Sequence, residues 1–560
     1  MTESPTPSSP PPSYRRVDPI DGRAGTDVAG RRGRRDQAGR GFDESGLRAL
    51  GDEISRGVTR RRPWRKQRWV RRTALVAGLA VVIAIAGAAS YNWYLFNQIH
   101  TVAVKGLSTT GVGVESGTEN ILMVGSTDRC SLPKSDPLYQ DCVAGHTGIN
   151  SDVVMILHLN SATRRVSILS IPRDTFVPNA RADGANKIDA ALYEGPTQLV
   201  AAIEDDFGIP IQHYMELNFA SFANVVQTIG GVRMYFPEPV YDHEVGLDVE
   251  TPGCVYLNGG DALKLVRSRE LQYKGPGVTT DDHFDWPHDP QSDLARILRD
   301  HEFLRVLATA VAHKGLANPI TDERLVAALA PQVEMDPQLK GQLLGLVSSF
   351  HAVNPNAAPE LTLPIQAPNT STGYVYKGSG YGDVVYPTVT EDEQAIDQFL
   401  GTPPTVDTMN GRSLPRPASV TVSVLNGTGV TNQATDTANA FAALGFKIGS
   451  LGNTEPVGTP AETVVTYAAP ADEGAAELVS RQLTGVVIMA LGATTGASQV
   501  TVTTGTDFSV KPPPSSVASP PSTTAPVSSA TASLAPPSQL VSPLKPWDPR
   551  SCTPSGGEGP

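Results

Sequence analysis

Between Arg72 and Lys105 the chain carries no Lys, Arg, Asp or Glu, and Thr73 to Phe96 reads TALVAGLAVVIAIAGAASYNWYLF. As a helix these 24 residues extend about 36 Å, more than the ~30 Å hydrocarbon core of a bilayer. Arg60, Arg61, Arg62, Arg65, Lys66, Arg68, Arg71 and Arg72 crowd the N-terminal side, while Tyr91, Trp93, Tyr94 and Phe96 form an aromatic belt at the other. The positive-inside rule then puts residues 1–72 in the cytoplasm and everything after about residue 97 outside. Ala86-Gly87-Ala88 resembles a signal-peptidase site, but a 72-residue leader is far too long for a signal peptide. The expectation is a permanent single-pass anchor in the cell membrane with an extracytoplasmic body.

Charge divides at the same place. Residues 1–72 hold 18 Lys+Arg against 9 Asp+Glu, whereas the remaining 488 hold 27 against 48. A basic head on an acidic body excludes a general nucleic-acid binder, which spreads positive charge over a folded face. The head, and the tail 509–560 with its run PPPSSVASPPSTTAPVSSATASLAPPSQ, hold too few large apolar residues to offset chain entropy and are expected to be disordered. Outside the membrane, disulfides are permitted. Cys130 and Cys142 close a short polar loop and form the natural pair, although they, and Cys254, fit buried thiols equally well; Cys254 and Cys552 are left without assigned partners.

The body reads as two α/β units. Short apolar runs at 121–125, 153–159 and 166–171 are typical of buried strands, and helices with glycine stops follow at 197–207 and 220–229. Residues 294–311 form an amphipathic helix with Leu294, Ile297, Leu298, Leu304, Leu307 and Val311 on one side; two more are expected at 321–330 and 337–350. Residues 97–117 read as a stem, 118–400 as the larger domain with a mixed central sheet flanked by helices, and 401–417 as a linker. Residues 418–508 alternate strand and helix as a small open sheet with no cluster of catalytic residue types.

Chemistry concentrates at one edge of the larger sheet. Asp128 and Arg129 follow the first strand, Asp152 opens the second, and Arg173-Asp174 closes the third. If Ser161–Arg164 is a hairpin loop, Asn160 pairs with Arg165 and Asp152 lies opposite Arg173. Arg267 and Arg269 share a face of an extended segment; Asp293, Arg296, Arg299 and Asp300 lie off the apolar stripe of their helix. Forked arginines beside paired carboxylates suit a pyrophosphate neutralised by Mg²⁺. Each Asp–Arg pair alone reads as an ordinary solvent-exposed ion pair worth little, and only convergence makes a site. His283, Asp285, His288 and Asp289 are better read as a solvated loop than as a metal site, because Pro287 and Pro290 disturb regular ligand geometry.

These residues resemble the LytR-CpsA-Psr family over about 118–350. The resemblance is carried by Asn120-Ile-Leu-Met-Val-Gly125 with Asp128-Arg129, Ser151-Asp152, Ile171-Pro-Arg-Asp174 and Lys187-Ile-Asp-Ala-Ala191, then Gly230-Gly-Val232, Gly260-Asp-Ala-Leu263 leading to Arg267-Ser-Arg269, and Asp293 with Arg296 and Arg299. Residues 418–508, with VSVLNGTG near the start, look like the C-terminal domain often appended to this family. The resemblance implies a phosphotransferase moving a glycopolymer from a polyprenyl-pyrophosphate carrier to the 6-hydroxyl of muramic acid in peptidoglycan. Asp128 and Asp152 match its Mg²⁺ positions, and Arg129, Arg173, Arg267, Arg269, Arg296 and Arg299 its pyrophosphate clamp. Asp174 or Asp293 is the expected proton acceptor, and an apolar groove between sheet and helices would hold the prenyl tail. An Ala-, Gly- and Arg-rich composition points, by analogy with actinobacterial envelopes, to arabinogalactan as the polymer. The chain departs from the family pattern at Asn150 and Val153, which flank Ser151-Asp152, and at Asp300, where Gln is usual. A non-catalytic scaffold binding lipid-linked polymer, and a polyprenyl-pyrophosphate hydrolase, are the competing readings.

Overall fold

In the computed structural model the chain divides into two compact units, residues 1–84 and 85–560. The structure describes residues 97–108, 117–127, 139–145, 148–182, 184–315, 330–350, 353–366, 374–377, 379–387, 389–458, 462–513 and 544–552, with isolated positions including 130 and a few between 79 and 94. The expected membrane span Thr73–Phe96, the head 1–72, Asp128, Arg129 and the helix expected at 321–330 lie wholly or largely outside those residues. Among the described residues no helix is long and apolar enough to cross a membrane.

A seven-stranded sheet forms the centre, in the order His100–Thr101, Glu334–Met335, His213–Asn218, Thr118–Ser126, Ser151–Asn160, Arg165–Ile171, Glu360–Thr362. It is mixed: Thr118–Ser126 runs parallel to His213–Asn218 and antiparallel to Ser151–Asn160. The tight connection 161–164 sets the register, with Arg164 in the left-handed region at φ 53° and the Asn160 side chain accepting from Thr163 N at 2.9 Å. Asn160 faces Arg165 and the ladder continues to Val154 opposite Ile171. Two residues further on, Asp152 and Arg173 emerge together at the sheet edge.

Helix Pro196–Phe207 ends at Gly208, whose φ of 62° closes the C-terminus in the left-handed region. Its Leu199, Val200, Ile203 and Phe207 cover one sheet face. Helix Asp293–Gly315 departs from the expected amphipathic pattern. Its first turns bury the polar side chains Arg296, Arg299, Asp300, His301 and Glu302, while Leu294, Leu298 and Leu304 are only half-buried.

Residues 419–508 build a five-stranded sheet, Lys447–Asn453, Thr421–Asn426, Val500–Thr504, Thr463–Tyr467, Val487–Leu491. This module is not loosely tethered. Val464, Ile488 and Ala490 belong to the same apolar core as Leu199 and Ile203, each large side chain contributing about 1.5–3 kcal/mol of burial. Asn179 exchanges hydrogen bonds with the Leu491 backbone, and Tyr467 Oη donates to the Asp205 carbonyl at 3.1 Å.

Three boundary expectations are corrected. The stem contributes a strand, His100–Thr101, and buries Ile99. The linker is packed, with Thr402, Val406, Asp407 and Thr408 buried and Thr408 Oγ1 donating to the Gly208 carbonyl at 2.6 Å. Nor does the tail begin at 509 and stay apart: Phe508–Val510 pairs with Leu483–Gly485, and residues 544–552 return to the larger domain. Composition averaged over 52 residues concealed, among the described residues, both the strand end at 509–510 and the segment 544–552. Two disulfides form, Cys130–Cys142, the expected pair, and Cys254–Cys552, across a separation of 298 residues.

Candidate active site

The hairpin and the segment after it deliver the first group. Arg173 Nη1 donates to Asp152 Oδ1, and its Nε lies 3.5 Å from Asp174 Oδ2 and 3.8 Å from Asp293 Oδ1. Arg269 Nε stands 3.2 Å from Asp293 Oδ1, and its Nη2 3.7 Å from Asp174 Oδ2. One turn along the helix from Asp293, Arg296 Nη2 reaches Asp293 Oδ1 at 3.1 Å and donates to the Asp152 carbonyl at 2.8 Å. Strands from residues 151–174, the exit of helix Gly259–Arg267 and the start of helix Asp293–Gly315 thus meet at one point. A cavity of about 10 Å³, room for about one water molecule, lies beneath it, lined by Asp152, Val154, Ser170, Arg296 and Asp300 among others. That is below the ~300–1,000 Å³ of sites enclosing a whole small molecule.

Electrostatics differ from one carboxyl to the next. Burial works against the Asp174 carboxylate, but the Lys187 hydrogen bond at 2.7 Å and the Arg173, Lys187 and Arg269 charges hold it below the usual range. A carboxylate so stabilised is a poor proton acceptor, which speaks against the expected role of Asp174. Asp189 is the opposite case, pushed up to about 6 by burial and by the neighbouring Asp174 and Asp152 charges, which outweigh Arg173 and Lys187. Burial also pushes Asp300 up to about 8 despite Arg296 and Arg299, so it carries a proton at neutral pH. The departure from Gln therefore adds no charge beneath the site. Arg173 is desolvated, but Asp152, Asp174 and Asp293 keep it firmly protonated.

The structure brings together Asp152, Arg173, Asp174, Arg269, Asp293 and Arg296. Arg267 is nearly buried, its guanidinium 4.9 Å from the Phe219 ring centroid at the end of the His213–Asn218 strand. Arg299 is corrected: it is fully buried, with Nη1 on Asp289 and Asp548 and Nη2 on the Ser268 carbonyl, so it has no surface to offer a ligand. Asp289 is likewise buried against Arg299 rather than part of a solvated loop. Lys187 and Asp189, quoted above within the motif Lys187–Ala191 but given no role there, join the cluster. Their signal was a Lys-x-Asp spacing: Lys187 pairs across from Phe176 and so comes back beside Asp174.

Arg173 and Arg269 keep part of their side-chain surface exposed, whereas Arg296 is buried beneath them. Partly exposed guanidiniums held by carboxylates on one side make a seat for an oxyanion such as a phosphoryl group, and Arg173 and Arg269 meet that description. The family whose model is described as LytR_cpsA_psr matches residues 97–384, and a model described as LytR cell envelope-related transcriptional attenuator matches residues 419–508. The chain belongs to the LytR-CpsA-Psr family. It is 34% identical to LcpB of Corynebacterium glutamicum, named a probable cell wall biosynthesis protein, over 39% of this chain and 47% of that one. To LcpA of the same organism, a cell wall biosynthesis protein, it is 25% identical over 74% and 83%. To TagU of Bacillus anthracis, a polyisoprenyl-teichoic acid–peptidoglycan teichoic acid transferase, it is 25% identical over 40% and 66%. The chain thus spans about half of LcpB and just under two thirds of TagU.

Proposed function

We propose that the chain transfers a glycopolymer, as a phosphoryl-linked group, from a polyprenyl-pyrophosphate carrier to the 6-hydroxyl of a peptidoglycan muramic acid. The observation that carries this reading is the convergence of the partly exposed Arg173 and Arg269 with Asp152, Asp174 and Asp293 at one sheet edge, above the buried Arg296. Family membership and the name of TagU support the reaction class.

The acceptor oxygen attacks the phosphorus that bears the sugar, the bond to the bridging oxygen breaks, and polyprenyl phosphate leaves with the electron pair. Arg173 and Arg269 hold the pyrophosphate oxygens, and Arg296, buried beneath them, fixes Asp293 and the Asp152 backbone and adds to the positive charge that offsets the leaving phosphate. The acceptor proton needs a carboxylate of higher basicity than Asp174; Asp189, raised to about 6, suits that role. Half-buried Leu294, Leu298 and Leu304 offer apolar surface to the prenyl chain on the helix that carries Arg296.

Carboxylate oxygens are the donors Mg²⁺ prefers. Asp152, which commits Oδ1 to Arg173, would hold it with Asp128, and the ion would supply further positive charge to the transferred group. A membrane anchor at Thr73–Phe96 would place the site outside the cell beside carrier and peptidoglycan, and arabinogalactan is the polymer proposed.

The test is to incubate the full chain in detergent with a polyprenyl-pyrophosphate-linked saccharide, Mg²⁺ and a peptidoglycan fragment, and to look for a sugar–phosphate–muramic acid product. Formation that requires Arg173 and Asp152 supports transfer. Cleavage without transfer replaces it with the hydrolase, and tight lipid binding without turnover with the scaffold.

A further inference from the structure

Residues 544–552 lie beyond the Pro/Ser/Thr-rich stretch 514–543 and dock on the larger domain. Arg550–Ser551 adds an antiparallel edge strand to Val232–Phe236, and Cys552 is bridged to Cys254. Trp547 stacks on Tyr273 with ring centroids 4.0 Å apart and planes within 5°. Ser551 donates to Glu302 Oε1 through both its backbone N–H and its hydroxyl, at 2.8 and 2.7 Å.

Within this clasp Asp548 is fully buried and accepts from Arg299 Nη1 at 3.3 Å. Trp547 Nε1 donates at 3.3 Å to Asp289 Oδ2, the oxygen that Arg299 Nη1 reaches at 2.9 Å. The other arm of Arg299, Nη2, donates at 2.9 Å to the carbonyl of Ser268. Ser268 is the residue between Arg267 and Arg269, and Arg299 stands one turn along its helix from Arg296. One buried guanidinium is therefore tied at once to the returning tail, to the segment that presents Arg269, and to the turn that presents Asp293 and Arg296.

We propose that residues 544–552 are a strap that positions the arginine cluster, with Asp548 and Trp547 holding Arg299, and Arg299 holding the Arg267–Arg269 backbone and the Asp293–Arg296 turn. Asp548 is a positioning residue: it touches no ligand and acts through Arg299. A buried guanidinium keeps its geometry only while its donors have acceptors, and Asp548 is the acceptor that comes from outside the domain's own stretch of chain. Displacing a ligand-binding group by about 1 Å costs on the order of 10²-fold in rate. The disulfide keeps Asp548 at high local concentration even when its contact opens. The consequence for transfer rests on the pyrophosphate reading of the cluster; the mechanical half does not.

The experiment uses the full chain in detergent. Asp548→Ala is compared with Asp548→Asn, which keeps one oxygen acceptor. A third protein carries a protease site within 514–543 and Cys552→Ser, so that the strap is released after folding. Amide hydrogen exchange is read across 267–269 and 293–299 without ligand, and the affinity for geranylgeranyl pyrophosphate is measured as a probe of the clamp. Release, and Asp548→Ala, are expected to speed exchange in both segments at least tenfold and to weaken the probe about tenfold or more, with Asp548→Asn recovering most of both. A lower thermal midpoint with exchange in those segments and probe affinity unmoved would overturn the strap, leaving it a mere staple. Failure of the unaltered chain to bind the probe overturns the pyrophosphate reading instead, and exchange alone then decides the strap.

Discussion

Two regions of this molecule are built from the same side chains and end in opposite electrostatic states. At the edge of the central sheet, Asp152, Asp174 and Asp293 alternate with Arg173, Arg269 and Arg296, with Lys187 added on Asp174. Where the C-terminal module meets helix Pro196–Phe207, oxygens of Asp407, Glu473 and Glu477 lie within 4.8 Å of one another. There Arg481 divides itself between Asp397 at 2.8 Å and Glu477 at 2.6 Å. Burial pushes Glu477 up to about 7, with Arg481 only partly offsetting it, and pushes Glu473 well above the usual range, reinforced by Glu477 and Asp407. Glu204 rises to about 7 and Asp205 to about 6 from burial alone in the main. The ratio of guanidiniums to buried carboxyls sets the outcome: near parity leaves charges that can meet a ligand, and a shortage leaves carboxyls that keep protons and act as structure.

The largest effect that could break this comparison is on catalysis. Arg173→Ala is expected to lower transfer by about 10³-fold, the scale for losing a charge-stabilising donor, with a thermal midpoint close to that of the parent. A midpoint lowered as far as that of a junction variant would erase the distinction. Next comes Arg481→Ala, which leaves Asp397 and Glu477 uncompensated in the junction and should cost about 3–5 kcal/mol in denaturant unfolding. Turnover below its midpoint should change only a few-fold.

The pH dependence of stability has a definite sign. Glu204, Glu477 and Asp205 titrate higher in the folded chain than in the unfolded one, so between pH about 4.5 and 7 the folded state binds more protons. Stability then falls as pH rises through that window. The depressed Asp174 has the opposite sign, but its contribution is lost only below its unfolded value near 3.8, outside the window. Scanning calorimetry from pH 5 to 8 should show a falling midpoint, unchanged by EDTA if protons rather than a cation occupy the acidic group. A rise would sink the protonated reading of the junction. Smallest of all is Asp300→Asn: transfer at pH 7 should stay within about threefold, and any decline above pH about 8 should flatten, because the carboxyl is already neutral below that point.

The fold was legible where information is local. Strand periodicity and a short connection between Asn160 and Arg165 placed Asp152 opposite Arg173, and the ladder keeps that register. Glycine stops at 208 and 230 closed the helices as expected, each with positive φ. Periodicity served less well on helix Asp293–Gly315. It separates an apolar stripe from a polar side, but says nothing of what covers the polar side, and here other parts of the chain bury it. Arg299 therefore read as a clamp arginine, and Asp300 as an added charge.

By itself the sequence determined the elements, their register, the uncharged 73–96 stretch and the residue types that converge at the sheet edge, since each depends on neighbours a few positions apart. The tertiary structure decided which arginines remain available, which carboxyls keep their protons, and that residues 544–552, beyond a Pro/Ser/Thr-rich stretch, close on the domain. Those outcomes depend on burial and on partners as distant as Arg299 and Asp548, 249 residues apart. Desolvation exists only once such partners have met.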